Sequence, residues 1–223
     1  MSLELVTFDV GGVIYQDAVF ARAVRLGLAD LGVEIQDEDF NRIYDEVRQN
    51  QAGSIRSKLA VEFLGGLEHK QALIDATDKH WVFTSKDLHE DALETLRLTK
   101  GLGLLVALVA NQPASIMGPL REHGVLDFVD FAGISGVVGY EKPDPRIFEV
   151  ATEALSIKPS QVLHVGNRLD TDVRPAKAMG MKTAWVLRGE APPEPTPLQL
   201  AEPDHVLNSL ADLMPYLSEL KTK

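Results

Sequence analysis

Five short apolar runs recur along this chain, and they constrain its fold more than any other feature. Each run is rich in strand-forming residues, and helix-periodic sequence follows it. The runs are LELVTFDV (3–10), GLLVALVAN (103–111), FVDFAGIS (128–135), QVLHVGN (161–167) and KTAWVL (182–187). Strands that alternate with helices form a parallel sheet with helices on both faces. The sequence therefore predicts an α/β fold whose ligand site lies at the carboxyl ends of the strands.

Residues 16–96 interrupt this alternation. Four amphipathic segments follow one another there, with apolar residues three and four apart, Asp or Ser near their starts and no strand signal between them. They are residues 17–32, 37–51, 55–66 and 68–83. Since a structureless connection of this length is improbable within a compact domain, we predict an inserted helical subdomain at 16–96. The core would then comprise residues 1–15 and 97–223, with a C-terminal helix over residues 205–220.

Composition narrows the classes of function. The 223 residues include no Cys, which excludes disulfides, thiolate zinc sites and cysteine nucleophiles. A formal charge of −11 without a cluster of Lys and Arg argues against a nucleic-acid partner and favours small substrates. No apolar run is long enough to span a bilayer and no signal-peptide pattern is present, so we expect no membrane partner and a cytoplasmic location. The six histidines lack metal-ligand spacing, and we predict structural roles for them, including His164 in a strand pattern.

Chemically capable side chains stand where the predicted strands end. Asp9 follows the first strand, and the two glycines after it allow close backbone approach to a ligand. Lys142 precedes two prolines that fix the backbone, and its ammonium could hold a carboxylate and an anionic substrate together. Asp170 and Asp172 follow a third strand, and together with Asp9 they offer the oxygen ligands that suit Mg²⁺. A carboxylate nucleophile, a lysine and Mg²⁺ in one crevice describe phosphoryl transfer through an aspartyl-phosphate.

Four ordered segments resemble the motifs of the haloacid dehalogenase superfamily, most of whose members are Mg²⁺-dependent phosphatases. The segments are FDVGGV (8–13), VAN (109–111), EKPDPRIF (141–148) and HVGNRLDTDVRPAKAMGM (164–181). The resemblance covers almost the whole chain. It implies a Rossmann-like doubly wound parallel sheet with an inserted α-helical cap that closes over the site and helps to choose the substrate. It also implies Mg²⁺ as the cofactor and a small phosphorylated metabolite as the substrate.

The resemblance assigns roles to individual residues. Asp9 would attack the phosphorus atom, and Lys142 would neutralise both Asp9 and the phosphoryl oxygens. The metal ligands implied are Asp9, the backbone carbonyl of Gly11, Asn167 and Asp172. The substrate contacts implied are Gly12, Asn111 and Lys142.

Three residues depart from the family pattern. Gly11 stands where many family phosphatases have a second Asp that acts as general acid and base, a function worth about a hundred- to ten-thousandfold in rate. Ala110 replaces the Ser or Thr that binds phosphate, and Asn167 replaces an Asp. Because an amide adds no negative charge, we expect Mg²⁺ to bind more weakly unless Asp170 compensates.

These departures leave two alternatives open. In a carbon–halogen hydrolase, Asp9 would attack carbon without a metal, which suits Gly11 and Asn167. However, Val13 and Ala110 offer none of the hydroxyls that similar dehalogenases have there. Alternatively, the three substitutions mark a catalytically weakened member that acts as a binding or regulatory protein. The physiological substrate and the oligomeric state stay open.

Overall fold

A single six-stranded parallel sheet forms the centre of the molecule, and the computed structural model describes residues 2–221. The strands are β1 Leu5–Phe8, β2 Leu105–Ala110, β3 Phe131–Ile134, β4 Val162–Gly166, β5 Lys182–Val186 and β6 His205–Leu207. Their order across the sheet is β3-β2-β1-β4-β5-β6, so the first strand is flanked by β2 and β4. The five predicted strands and the α/β fold class are confirmed.

The sixth strand corrects one prediction. We expected a helix from His205 onward, but β6 pairs in parallel with β5, and the backbone of Leu187 donates to the carbonyl of Leu207 at 2.8 Å. The apolar residues of β6 gain ladder hydrogen bonds at the free edge of the sheet, which the periodicity of the later residues does not reveal. A capping box between Ser209 and Asp212 then starts the turn that leads into the C-terminal helix.

Eleven α-helices lie in the described part of the chain. They are α1 Ala18–Asp30, α2 Asp37–Asn50, α3 Ile55–Phe63, α4 Lys70–Thr77, α5 Ala92–Gly101, α6 Met117–Glu122, α7 Ser135–Val138, α8 Arg146–Leu155, α9 Arg174–Ala178, α10 Pro197–Leu200 and α11 Leu213–Lys221. Within residues 2–221, none of these helices combines the length and apolar character needed to cross a bilayer.

The helices cover both faces of the sheet because successive strand residues point to opposite sides. On β1, Val6 and Phe8 belong to an apolar cluster that also contains residues of α5 and α11. Leu5 belongs to a second cluster, which contains residues of α8 and α9. Each face of the sheet is therefore buried under its own helices, as expected for a doubly wound sheet.

Helices α1 to α4 share a separate apolar cluster, in which Val24, Phe40 and Leu59 are buried. Helix α5 is different, because Ala92 and Leu96 pack in the cluster of the sheet. We therefore propose a cap that ends before α5, and not at residue 96 within it. The predicted helix at 68–83 is shorter than expected: the α-helical part is α4, and the chain is extended at Trp81, whose ring stacks on Phe83 at a centroid distance of 5.6 Å.

Candidate active site

The carboxyl ends of three neighbouring strands define a crevice at one edge of the sheet. Asp9 follows β1, Asn111 follows β2 and Asn167 follows β4. Because β2 and β4 lie on opposite sides of β1, the connections after these strands diverge and leave a crevice above β1. These three side chains start from the edge of the sheet where ligands bind in such folds.

An ammonium group joins two carboxylates in this crevice. Lys142 Nζ lies 2.7 Å from Asp9 Oδ1 and 2.6 Å from Asp172 Oδ1. The side chains of Lys142 and Asp172 are 2% and 0% exposed, whereas the side chain of Asp9 is 13% exposed. The structure thus brings together three of the predicted site residues and leaves Asp9 as the one that a ligand can reach.

A second layer of hydrogen bonds holds Asp172. Its Oδ1 lies 3.2 Å from His164 Nε2, and its Oδ2 accepts from the backbone N–H of Arg168 at 2.9 Å. His164 Nδ1 lies in turn 2.8 Å from Thr7 Oγ1. The histidine therefore positions the carboxylate that holds Lys142, a role that the sequence reasoning missed. Protein donors already occupy both oxygens of Asp172, and its role as a metal ligand stays a prediction.

The two carboxylates of this cluster have pKa values that are shifted in opposite directions. Burial raises the pKa of Asp9 from its ordinary 3.8 to about 6, against the opposing effect of Lys142. Burial also raises the pKa of Asp172, but Lys142 and the hydrogen bond from His164 outweigh it and hold that pKa below its ordinary range. Burial lowers the pKa of Lys142, and the two carboxylates more than offset this effect. Lys142 and Asp172 therefore form a charged pair, while Asp9 is the more easily protonated of the two carboxylates.

Asn111 forms two hydrogen bonds with the backbone of Lys142. Its Oδ1 accepts from the N–H of Lys142 at 2.6 Å, and its Nδ2 donates to the carbonyl of Lys142 at 2.8 Å. This pair of bonds joins the end of β2 to the lysine loop and fixes the origin of the ammonium side chain. The predicted contact of Asn111 with substrate stays a prediction.

The two glycines after Asp9 face different surroundings. Gly12 has φ +68°, and a Cβ there would lie 2.1 Å from Asn167 Nδ2 and 2.8 Å from Asp17 Oδ1. Gly11 has no such backbone constraint, and a Cβ there would meet only the side-chain amide of Gln112, at 3.2 Å. Position 12 therefore requires glycine, whereas position 11 has room for a side chain.

Asn167 carries a buried amide that nothing satisfies. The residue is 1% exposed, and neither Nδ2 nor Oδ1 has a hydrogen-bond partner in the described part of the chain. Its backbone carbonyl accepts from Trp185 Nε1 at 2.9 Å, which fixes the main chain. An unpartnered buried amide costs about 1–3 kcal/mol, so a water, an ion or a ligand that bonds to it stabilises the folded protein.

The donor chemistry fits Mg²⁺. The Asp9 carboxylate, the Gly11 carbonyl and the Asn167 amide oxygen are hard oxygen donors, and Mg²⁺ is often held by one or two carboxylates together with waters. No three side chains of His, Cys, Asp or Glu converge as a metal centre within residues 2–221. Asp170 does not add a free carboxylate, because it binds Arg168 through hydrogen bonds of 2.9 and 2.7 Å.

Asp17 is a further carboxylate that the sequence reasoning missed. It is the residue before α1, a position typical of helix capping, but its side chain makes no capping bond. Instead, Tyr44 of α2 donates its hydroxyl hydrogen to Asp17 Oδ2 at 2.8 Å. Burial raises the pKa of Asp17 to about 7, and the charge of Glu190 adds to this rise. The only signal in the sequence was an acidic residue eight positions after Asp9.

Comparisons with known proteins agree with this geometry. A family model described as haloacid dehalogenase-like hydrolase matches residues 3–180. The "Haloacid dehalogenase-like hydrolase domain-containing protein 3" of Bos taurus is 33% identical over 132 residues, which make up 59% of this chain and 52% of that protein. The matched region thus spans about half the length of that relative.

Two other relatives carry names of different activities. Glyceraldehyde 3-phosphate phosphatase of Methanopyrus kandleri is 27% identical over 202 residues, covering 84% of this chain and 85% of that protein. The (S)-2-haloacid dehalogenase 4A of Burkholderia cepacia is 32% identical over 136 residues, covering 60% of this chain and 57% of that protein.

A solved structure shares the fold over nearly the full length. The β-phosphoglucomutase of Clostridium difficile has a TM-score of 0.73 at 21% identity and covers 99% of this chain and 97% of its own. The family model covers most of the sequence, and the motif residues Asp9 and Lys142 are in contact where the sheet ends. The chain belongs to the haloacid dehalogenase-like hydrolase family.

Proposed function

We propose that this protein is a cytoplasmic, Mg²⁺-dependent phosphatase that hydrolyses small phosphorylated metabolites through an aspartyl-phosphate at Asp9. The observation that carries the proposal is the contact of Asp9 Oδ1 with the buried Lys142 Nζ at 2.7 Å, since it sets a reachable carboxylate beside a fixed positive charge. Relatives named as phosphatases support the reaction class.

The reaction follows from these contacts. A carboxylate oxygen of Asp9 forms a bond to phosphorus while the bond from phosphorus to the leaving oxygen breaks. The electron pair stays on the leaving oxygen, which then takes a proton. Lys142 offsets the charge on the phosphoryl oxygens, and Asp172 holds the ammonium in place. Water then attacks the phosphorus atom, which releases phosphate and restores the Asp9 carboxylate.

The proposed cofactor, Mg²⁺, would lie beside the Asp9 carboxylate. Asp9, the Gly11 carbonyl and the Asn167 amide oxygen would hold Mg²⁺, with Asp172 as the further predicted ligand. When bound, Mg²⁺ supplies positive charge that stabilises the phosphoryl oxygens. Coordination would also satisfy Asn167 Oδ1, which is buried and has no other partner among the described residues.

A carbon–halogen hydrolase is the second candidate, because a relative at 32% identity carries the name of a haloacid dehalogenase. In that reaction Asp9 would attack carbon and displace halide without a metal. Val13 and Ala110 count against it, since both are fully buried and neither has a hydroxyl group.

A screen with two readouts separates these functions. Purified protein is incubated with phosphorylated metabolites, with Mg²⁺ or with EDTA, and phosphate release is measured. The same preparations are incubated with 2-haloacids, and halide release is measured. We expect Mg²⁺-dependent phosphate release that falls on the order of a thousandfold or more in Asp9→Asn, which removes the nucleophile at nearly constant volume.

Asp170→Asn is the matched control, because it neutralises a nearby carboxylate that binds only Arg168 among the described side chains. Its turnover should stay near that of the wild type. Halide release in EDTA without phosphate release would establish the dehalogenase instead. Wild-type turnover by folded Asp9→Asn would exclude Asp9 as the nucleophile, and no turnover in either screen would favour the binding or regulatory role.

A further inference from the structure

The side chain of Gln112 lies beside the loop that carries Asp9. Gln112 is the second residue after β2, and its Nε2 would lie 3.2 Å from a Cβ built on Gly11. Apart from the chain neighbours of Gly11, no other heavy atom of the described residues lies within 4 Å of that Cβ. The amide of Gln112 therefore borders the space that the absent side chain at position 11 leaves open, two residues from the reachable carboxylate of Asp9.

The backbone of Gln112 is held in place by the start of α7. Its N–H donates to Ser135 Oγ at 3.0 Å. Its carbonyl accepts from Ser135 Oγ at 3.1 Å and from the N–H of Gly136 at 3.0 Å. The preceding residue, Asn111, is joined to the backbone of Lys142. The side chain of Gln112 thus starts from a fixed point of the crevice.

The amide of Gln112 has no partner within the described part of the protein. All hydrogen bonds of Gln112 in residues 2–221 are made by its backbone. Its Oε1 is buried, and a buried amide oxygen without a donor is unfavourable. The side chain thus offers an N–H donor and a carbonyl acceptor that no group of the protein uses.

Hydroxyl groups complement this amide better than the other groups of a phosphate ester do. An ionised phosphoryl oxygen accepts a hydrogen bond from Nε2 but repels Oε1, and an alkyl chain satisfies neither atom. Two neighbouring hydroxyl groups satisfy both atoms, because one accepts from Nε2 while the other donates to Oε1. Rotation about the last side-chain bond of Gln112 is weakly restricted, so the amide can turn both atoms towards such a pair.

We propose that Gln112 binds a pair of neighbouring hydroxyl groups in the leaving part of the substrate, so that phosphate esters of polyols or sugars are preferred. The inference rests on the phosphatase function proposed above. It adds a chemical class of substrate that Asp9 and Lys142 do not select, because these two residues act on the phosphoryl group. Gln112 contacts the leaving part in this arrangement, and it is a specificity-determining residue.

The test compares esters that differ in their hydroxyl groups. Phosphate release with Mg²⁺ is measured for two pairs, glycerol 3-phosphate with n-propyl phosphate and ribitol 5-phosphate with n-pentyl phosphate. For at least one pair, the wild-type kcat/KM should be about tenfold or more higher for the polyol ester than for the alkyl ester. Gln112→Met keeps an unbranched side chain of similar length without the amide. It should bring this ratio to within about twofold of one and change the alkyl ester by less than about twofold.

Gln71→Met is the matched control, because the amide of Gln71 binds Asp75 at 2.8 Å on the exposed side of α4. Its ratio should equal that of the wild type. If Gln112→Met does not fold, Gln112→Asn takes its place, since it withdraws the amide by one methylene and should lower the ratio in the same way.

Two results would overturn the inference and leave the phosphatase proposal intact. One is a wild type that hydrolyses an activated aryl phosphate but does not prefer either polyol ester to its alkyl partner. The other is a folded variant at position 112 that keeps the wild-type ratio. Absence of phosphate release from every ester, the aryl phosphate included, would instead reject the phosphatase function and the inference with it.

Discussion

Gly11 and Gly12 are neighbours in the sequence, but only one of them has to be glycine. Gly12 has a positive φ, and its missing side chain leaves room for the amide of Asn167. At Gly11 only the flexible end of Gln112 approaches the position of a side chain. The absence of an acidic residue at position 11 is therefore not imposed by the backbone or by packing, and the position can be changed.

Gly11→Asp tests whether an acidic residue at position 11 can protonate the leaving oxygen. Without a donor the leaving oxygen departs as an anion, so the wild type should hydrolyse an activated aryl phosphate far faster than an alkyl phosphate. Gly11→Asp should raise the ratio of alkyl to aryl turnover by up to about a hundredfold, because only the poor leaving group needs the proton. Gly11→Asn, which has the same size and no acidic proton, should leave the ratio unchanged. Equal rates of the wild type on both esters would mean that another group donates the proton.

The sequence predicted which side chains come together better than it predicted their supporting contacts. Asp9, Lys142 and Asp172 could be predicted because strand ends and ordered motifs bring them to one edge of the sheet. Asp17 and His164 were missed because each occupies a position with an ordinary structural explanation, a helix start and a buried strand. Their roles depend on partners far away along the chain, such as the Tyr44 hydroxyl, which no local pattern identifies.

At the scale of elements, the connection between α2 and α3 joins the cluster of helices α1 to α4 to the loops around Asn167. Gln51 is fully buried with φ +47°, and its Nε2 donates to the carbonyls of Arg48 and Glu190, both at 2.7 Å. Its Oε1 accepts from the backbone N–H of Leu169 at 2.8 Å. One side chain thus links the end of α2 to the two core loops that flank Asn167.

Gln51→Ala should destabilise the fold measurably. The change removes three hydrogen bonds and leaves the buried N–H of Leu169 without a partner, so we expect the free energy of unfolding to fall by about 2–3 kcal/mol. Gln49→Ala is the control, because it removes a single exposed bond to the carbonyl of Glu194 and should cost about 0.5 kcal/mol or less. Urea unfolding measures both variants. Equal losses would show that the buried bonds of Gln51 do not anchor the connection.

Five of the six strands and the positions of helices α1 to α3 could be predicted, because periods of two and of about 3.6 residues are local properties of the sequence. The strand β6 could not, since its three residues are too few for a period and its stability comes from pairing with β5. The role of Gln51 was equally hidden, because it looks like the last residue of α2, and two of its three partners, Glu190 and Leu169, are more than a hundred residues away.

At the scale of the whole molecule, two carboxylates with raised pKa values couple the stability of the fold to pH. The pKa of Asp9 is about 6 and that of Asp17 about 7, against an ordinary value of 3.8 for each. Between about pH 4 and pH 7 the folded state therefore binds more protons than the unfolded state, and these two groups lower stability as the pH rises. His164 acts in the opposite direction, because burial lowers its pKa below 6.5 and the unfolded state binds more protons below that pH.

Asp17→Asn isolates one part of this dependence. In EDTA the variant has no titrating group at position 17, so its free energy of unfolding relative to the wild type should rise between pH 5 and pH 8. A pKa shift from 3.8 to about 7 predicts a relative gain on the order of 2 kcal/mol over this interval, since one pKa unit corresponds to about 1.4 kcal/mol. Urea unfolding at both pH values measures it.

Asp170→Asn is the control, because it makes the same chemical change at a carboxylate that is paired with Arg168. If the difference between Asp17→Asn and wild type is the same at pH 5 and pH 8 in EDTA, Asp17 titrates normally in the folded protein. In that case the Asp17 carboxylate is solvated or neutralised in the folded protein. Asp9 would then be the carboxylate of the two whose pKa burial raises.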